Sequence, residues 1–158
     1  MSDLRIRRAA RAVILDDADR ILLVRFEFPS EMVWATVGGG LEMGETHEDA
    51  IRREIAEEAG LEITELGPEV WTRTHVVPLG DRWDGQAERY YLVRTKPFEP
   101  RPRLSLEQLR DEGLTAIRWW TLGELDIAKE RFAPRRLPTL LRRLIEDGPP
   151  AEPLDVGV

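Results

Sequence analysis

Gly39 to Leu61 reads GGLEMGETHEDAIRREIAEEAGL, and its reading decides the rest of the chain. A glycine turn leads into a short acidic helix. Thr46 is the expected N-cap, and Glu48 and Asp49 complement the positive end of the helix dipole. Gly60 supplies a left-handed C-terminal cap. At about 100° per residue, Ile51, Ile55 and Ala59 form a buried stripe. Glu54, Glu57 and Glu58 stand at i, i+3 and i+4, on an adjoining face. Three like charges at that spacing repel, so they stabilise a helix poorly unless a cation lies among them. Hard divalent cations such as Mg²⁺ take oxygen ligands and keep positions open for water and phosphate. Small Ala50 leaves room above the patch, and Arg53 flanks it, able to orient a glutamate or meet a substrate phosphate. A solvated acidic helix is the alternative. The glycines Gly38, Gly39 and Gly40 weigh against it, because they allow backbone to approach a metal or a phosphate closely.

These residues resemble the Nudix hydrolase signature, G-x5-E-x7-R-E-U-x-E-E-x-G-U, where U is a bulky aliphatic residue. Gly39, Glu45, Arg53, Glu54, Ile55, Glu57, Glu58, Gly60 and Leu61 meet every specified position. One neighbouring position departs: Val37 precedes Gly38 where many family members have proline. The resemblance implies an α+β fold of the Nudix type, an α/β/α sandwich with a mixed central sheet. It also implies that Gly39 adds its backbone carbonyl to the metal ligands Glu54, Glu57 and Glu58, and that Glu45 anchors the loop to the helix. In several Nudix families the general base is a glutamate before the last strand; Glu112 holds that place here, with Glu88 as the other candidate. In further members a signature glutamate matching Glu54 or Glu57 serves as base.

The chain of 158 residues, 42% hydrophobic and 34% charged, has the composition of an ordinary soluble domain. We expect one domain over 1–147 and a disordered Pro-rich tail over 148–158. The net charge of −7 disfavours a general nucleic-acid surface. An acidic protein acting on anionic substrates needs cations at its site, which again points to Mg²⁺ or Mn²⁺. The chain has no cysteine, which excludes disulfides, thiolate metal sites and cysteine nucleophiles. No stretch approaches a membrane span and the N-terminus reads as a strand, so a cytoplasmic location is the default.

Along the chain, Arg5 to Leu15 and Ile21 to Phe26 read as a hairpin around Asp16-Asp17-Ala18-Asp19. Val33 to Val37 is a short strand entering a glycine loop. Glu62 to Val77 reads as one long or two short strands, and Ala87 to Thr95 as another. Leu104 to Glu112 reads as a loop or one helical turn, Ile117 to Trp120 as the final strand, and Thr121 to Leu125 as a turn. Pro134 to Asp147 is an amphipathic helix, with Pro138 tolerated in its first turn. In the loop Pro78 to Gln86, Arg82 and Trp83 are candidate substrate contacts, because an aromatic beside an arginine can stack on a base or meet a phosphate. Phe26, Trp34, Arg73 and Tyr90 are further candidates for base or phosphate contact.

The expected function is a Mg²⁺-dependent pyrophosphohydrolase. Its substrate is a nucleoside diphosphate linked to another moiety, or a nucleoside triphosphate. A Nudix module that senses a nucleotide without cleaving it is the alternative, and the complete glutamate set favours the enzyme. The resemblance also allows a homodimer.

Overall fold

The computed structural model describes residues 3–158. Among the described residues eight strands and four helices follow one another. They are β1 (Ile6–Leu15), β2 (Ile21–Glu27), β3 (Met32–Gly40), α1 (His47–Ala59), β4 (Glu69–His75), β5 (Gly85–Arg94), α2 (Leu106–Asp111), β6 (Leu114–Trp120), α3 (Leu122–Ile127), β7 (Arg131–Ala133), α4 (Leu137–Asp147) and β8 (Leu154–Asp155).

The strands form one mixed sheet in the order β6-β2-β3-β1-β5-β4-β8, with β7 beside β3. β1 and β5 pair in parallel along their full lengths, from Ile6–Gly85 to Leu15–Arg94. The expected β1–β2 hairpin closes only at Leu15–Ile21. Beyond that pair β3 enters between the two strands, pairing antiparallel with both. β1 runs 0% exposed from Ala9 to Leu15 except at Arg11, as expected of a central strand covered on both faces.

Alternation along the strands sends successive side chains to opposite faces. Ala10, Ala12 and Ile14 of β1 pack with Leu22, Val24 and Val37 under Ile51, Ile55 and Ala59 of α1. Val13 and Leu15 pack on the other face with Trp34, Trp71, Trp120 and the α4 residues Leu137, Leu140, Leu141 and Leu144. The result is the α/β/α layering expected from the signature. Full burial of Ile51 and Ile55 contributes roughly 1.5–3 kcal/mol each to seating α1.

Helix ends follow the local signals. Thr46 caps α1 in a reciprocal box with Asp49, and Gly60 closes it at φ 73°. Ser105 with Gln108 and Thr121 with Glu124 cap α2 and α3 in the same way. The first of these takes the helical option of its reading as a loop or one helical turn, and the second, read as a turn, is a short helix. Pro138 lies in the first turn of α4.

Other elements differ from the sequence reading. The glycines Gly38 to Gly40 are strand residues, paired with Arg11, Ala10 and Ala9, and not a loop. Between Glu62 and Val77 only β4 is extended. β7 had no alternation strong enough to mark three residues as a strand. The tail, expected to be disordered, lies against the sheet: β8 pairs in parallel with β4 at Trp71–Leu154 and Thr72–Asp155, and Val156 is 3% exposed. Its prolines suppress helix, but one buried valine and the open edge of β4 suffice to hold it.

Candidate active site

Where β3 leaves the sheet, α1 turns its polar edge towards the glycines. Carboxylate oxygens of Glu54, Glu58 and Glu112 lie within 4.8 Å of one another. Glu54 and Glu58 are 7% and 2% exposed. Glu112 is the exposed residue ending α2, brought in by the packing of α2 against β6. A Cβ on Gly39 would lie 2.7 Å from Glu54 Oε1, so the bare backbone is what admits the carboxylate.

The three signature glutamates of α1, Glu54, Glu57 and Glu58, separate. Glu58 lies on the side of the buried stripe, and Glu57, about 100° round the helix, turns towards solvent. Glu57 stands outside the three-carboxylate cluster and takes a 3.3 Å ion pair with Arg53 Nη1. Arg53 is itself saturated. It donates to Glu45 from Nε (2.8 Å) and Nη2 (2.9 Å), to Glu54 Oε1 (2.8 Å) and to the Gly40 carbonyl (3.1 Å). Glu45 also accepts from the Glu42 amide at 2.7 Å, tying the loop to the helix. The bonds to Glu45, then to Glu54, raise the Arg53 pKa, so it stays charged. Its donors are spent on orienting glutamates, not offered to the cavity.

The carboxylates of the cluster crowd one another in a largely desolvated space. Burial first, and then the charge of Glu54, push the Glu58 carboxyl well above the usual range. Burial, Glu54 and Glu57 raise Glu112. Glu58 Oε2 is buried with no hydrogen-bond partner. Buried like charges this close are costly without a counterion. An all-oxygen donor set with an unpartnered buried oxygen fits a hard divalent cation. Neither His47 nor His75 belongs to this cluster.

A cavity of about 180 Å³ opens on the cluster, lined by Arg7, Arg11, Phe26, Gly38, Gly39, Glu54, Glu58, Glu112 and Leu114. Arg7 and Arg11 were not singled out by sequence. The signal was available: in RIRRAARAVIL, Arg7 and Arg11 share one face of a strand otherwise turning apolar. Arg11 donates to Glu88 Oε2 (2.6 Å) and to the Gly38 carbonyl (3.0 Å). Glu88, 3% exposed, accepts from Arg73 at 2.5 Å and from the Tyr90 hydroxyl at 3.3 Å. Burial would raise the Glu88 pKa, but Arg11 and Arg73 outweigh it and hold it low. Glu88, Arg73 and Tyr90 are therefore bound up in a buried ion-pair network.

Arg82 stacks on Trp83, 5.2 Å from its ring centre, within the turn bridged at Leu79–Trp83. The structure does not bring either residue into the carboxylate cavity. A second, larger cleft of about 900 Å³ lies further along β3, lined by Arg25, Trp34, Arg118, Trp120 and the segment Ile127 to Arg131. There Arg118 lies 3.7 Å over Trp120 and Arg25 5.8 Å over Trp34.

Carboxylates gathered at the edge of a helix and backed by glycines, in a mixed α/β/α sheet, are the arrangement that the resemblance to the Nudix hydrolases implied. The NUDIX domain model matches residues 5–142, and the chain belongs to the Nudix hydrolase family, whose members act on phosphoric anhydrides. A nucleoside triphosphatase, NudI, of Enterobacter sp. (strain 638) is 44% identical over 68 residues, covering 42% of this chain and 45% of that protein. The chain thus aligns with under half the length of that relative. An RNA pyrophosphohydrolase of Pseudomonas putida (strain GB-1) is 29% identical over 148 residues, covering 84% of this chain and 90% of that protein. In fold, the chain is similar to the MutT NUDIX hydrolase from Burkholderia pseudomallei, with a TM-score of 0.65 at 23% identity, covering 89% and 98% of the two chains.

Proposed function

We propose that this protein is a pyrophosphohydrolase that requires Mg²⁺, with Mn²⁺ as a substitute. It cleaves the diphosphate linkage of a nucleoside triphosphate or of a nucleoside diphosphate joined to another moiety. The observation that carries the reading is the meeting of Glu54, Glu58 and Glu112 oxygens within 4.8 Å. The names of the relatives, a nucleoside triphosphatase and an RNA pyrophosphohydrolase, support the same bond type.

Glu54 and Glu58, with the Gly39 carbonyl, would hold the cation, and Glu57 would join them from the rim on exchanging its Arg53 contact. When bound, such a cation offsets charge on phosphoryl oxygens and acidifies a coordinated water. Arg53 keeps the Glu54 carboxylate aimed at Gly39. Glu112 is the general base: it sits on a loop end, exposed, yet beside the cluster, where its carboxylate can take a proton from the attacking water. Phe26 and Leu114 wall the cavity with apolar surface, which limits bulk water around the reacting phosphate. Trp34 precedes Gly38 by four residues on β3, roughly 13 Å at the strand rise. Trp34 and Trp120 pack on the α4 side of the sheet, away from α1, so the cleft beside them is a separate surface, where an indole face beside an arginine suits a planar base.

Among the described residues no helix is long and apolar enough to cross a membrane, and we propose a cytoplasmic protein acting on small nucleotides. The test is phosphate or nucleotide release from purified protein with Mg²⁺ and a panel. The panel comprises (d)NTPs, nucleoside diphosphate sugars, ADP-ribose, dinucleoside polyphosphates and a 5′-triphosphorylated RNA oligonucleotide. Turnover that requires the cation and is lost in Glu54→Gln supports the reading. Ligand-induced thermal stabilisation without cleavage of any of them would instead establish a sensing module.

A further inference from the structure

The arginines at the carboxylate cavity are not equivalent. Arg53 is spent on Glu45, Glu54 and Glu57, and Arg11 is ion-paired with Glu88 at 2.6 Å. Arg7 also lines the cavity, yet among the described residues it enters no ion pair with a carboxylate. Its one side-chain hydrogen bond there runs from Nη1 to the neutral Gln86 Oε1, at 3.1 Å. The guanidinium has a shaped seat. A Cβ on Gly40 would lie 2.2 Å from Arg7 Nε and 2.4 Å from Nη2, so this glycine leaves the space the side chain fills. Burial, and next the like charge of Arg11, work against the cation, while Glu54, Glu112 and Glu88 act in its favour. A half-buried arginine held beside another cation gains from an anion delivered to it. Its planar fork matches two oxygens of a phosphate.

We propose that Arg7 is the substrate's phosphate-binding arginine, holding a phosphoryl group of the diphosphate across the cavity from Glu54 and Glu58. The proposal rests on the hydrolase reading and deepens it: the site takes a substrate with at least two adjacent phosphates, one facing the carboxylates and one facing Arg7. Gln86 steers the guanidinium from behind, leaving its remaining donors to the ligand. Neither Arg53 nor Arg82 can fill this role, the first because its donors are occupied, the second because it lies outside the cavity.

The test uses imidodiphosphate, a diphosphate mimic whose bridge resists cleavage, with the full chain and Mn²⁺. Binding is measured by calorimetry for wild type, Arg7→Ala, Arg7→Lys and Gly40→Ala, and Mn²⁺ affinity is measured separately by electron paramagnetic resonance. Loss of a charge-assisted pair should weaken imidodiphosphate about ten- to a hundredfold in Arg7→Ala, with Mn²⁺ affinity unchanged. Arg7→Lys should recover part of the loss. Gly40→Ala, which keeps the charge but fills its seat, should weaken binding too, and guards against a folding defect in Arg7→Ala. With a cleaved nucleotide the loss should fall more on KM than on kcat. Wild-type imidodiphosphate affinity in both Arg7→Ala and Gly40→Ala overturns the proposal while leaving the hydrolase reading intact. Binding that is lost in Arg7→Ala, in a wild type that cleaves nothing, upholds Arg7 and overturns hydrolysis.

Discussion

Gly39 and Glu54 are fitted to each other: a single added carbon at Gly39 would stand 2.7 Å from Oε1 of Glu54. The contact is with a side-chain end, so a substitution displaces the carboxylate without forcing the strand apart. Gly39→Ala should therefore lower turnover by about tenfold or more, since small displacements of positioned groups cost heavily in catalysis. Its thermal midpoint should stay within a few degrees of wild type. Paired activity and melting measurements check this; a large fall in midpoint with the lost activity would refute it.

Glu58 is buried beside Glu54 with an unpartnered oxygen. Without a divalent cation that arrangement opposes folding, because two carboxylates share a desolvated space. Glu58→Gln should thus be more stable than wild type in chelator, by roughly 1–3 kcal/mol. Wild type should gain about 2.7 kcal/mol when the cation is at a hundred times its dissociation constant, and the variant much less. Thermal unfolding with and without Mg²⁺ separates the two, and the crossing of the two orders is the diagnostic result.

Glu88 answers two arginines inside the sheet, Arg11 at 2.6 Å and Arg73 at 2.5 Å. Neutralising it leaves two buried cations facing each other, so Glu88→Gln should cost about 3–5 kcal/mol. The pH dependence follows from its lowered pKa. The folded state binds this proton more weakly than the unfolded chain does. The stabilisation is therefore complete above the ordinary carboxylate value of 4.5 and is lost as pH falls through the folded value. Denaturant midpoints measured from neutral to acid should show a slope in wild type that is reduced in Glu88→Gln.

The tail is a structural element. Removing residues 154–158 uncovers the β4 edge and the site of Val156, and removes the hydrogen bond that the Val156 amide donates to the Thr72 carbonyl at 2.9 Å. The lost burial and hydrogen bond amount to about 2–4 kcal/mol, or a fall of roughly 5–15 °C in midpoint. The exposed edge should also raise the tendency to self-associate. Calorimetry and light scattering on the truncated chain test both, and an unchanged midpoint would show that the tail carries no stability.

The sequence by itself determined α1, its caps and its buried stripe, while the mixed α/β/α architecture was implied by the resemblance to the Nudix hydrolases and not by periodicity. The features of α1 rest on short-range periodicity and on a signature of fixed spacing, and Thr46, Ile51, Ile55 and Gly60 take the places that local rules predict. It also set Glu54 and Glu58 on the edge of the core, because 3.6 residues per turn leaves them little choice. Only the tertiary structure decided that Glu112 reaches Glu54 and Glu58 while Glu57 turns to Arg53. It alone parted β1 from β2 by inserting β3, seated Arg7 against Gly40, and laid the tail on β4. Each of these depends on which distant segments become neighbours. That is governed by the summed packing of both faces of the sheet, and no short window of residues contains it.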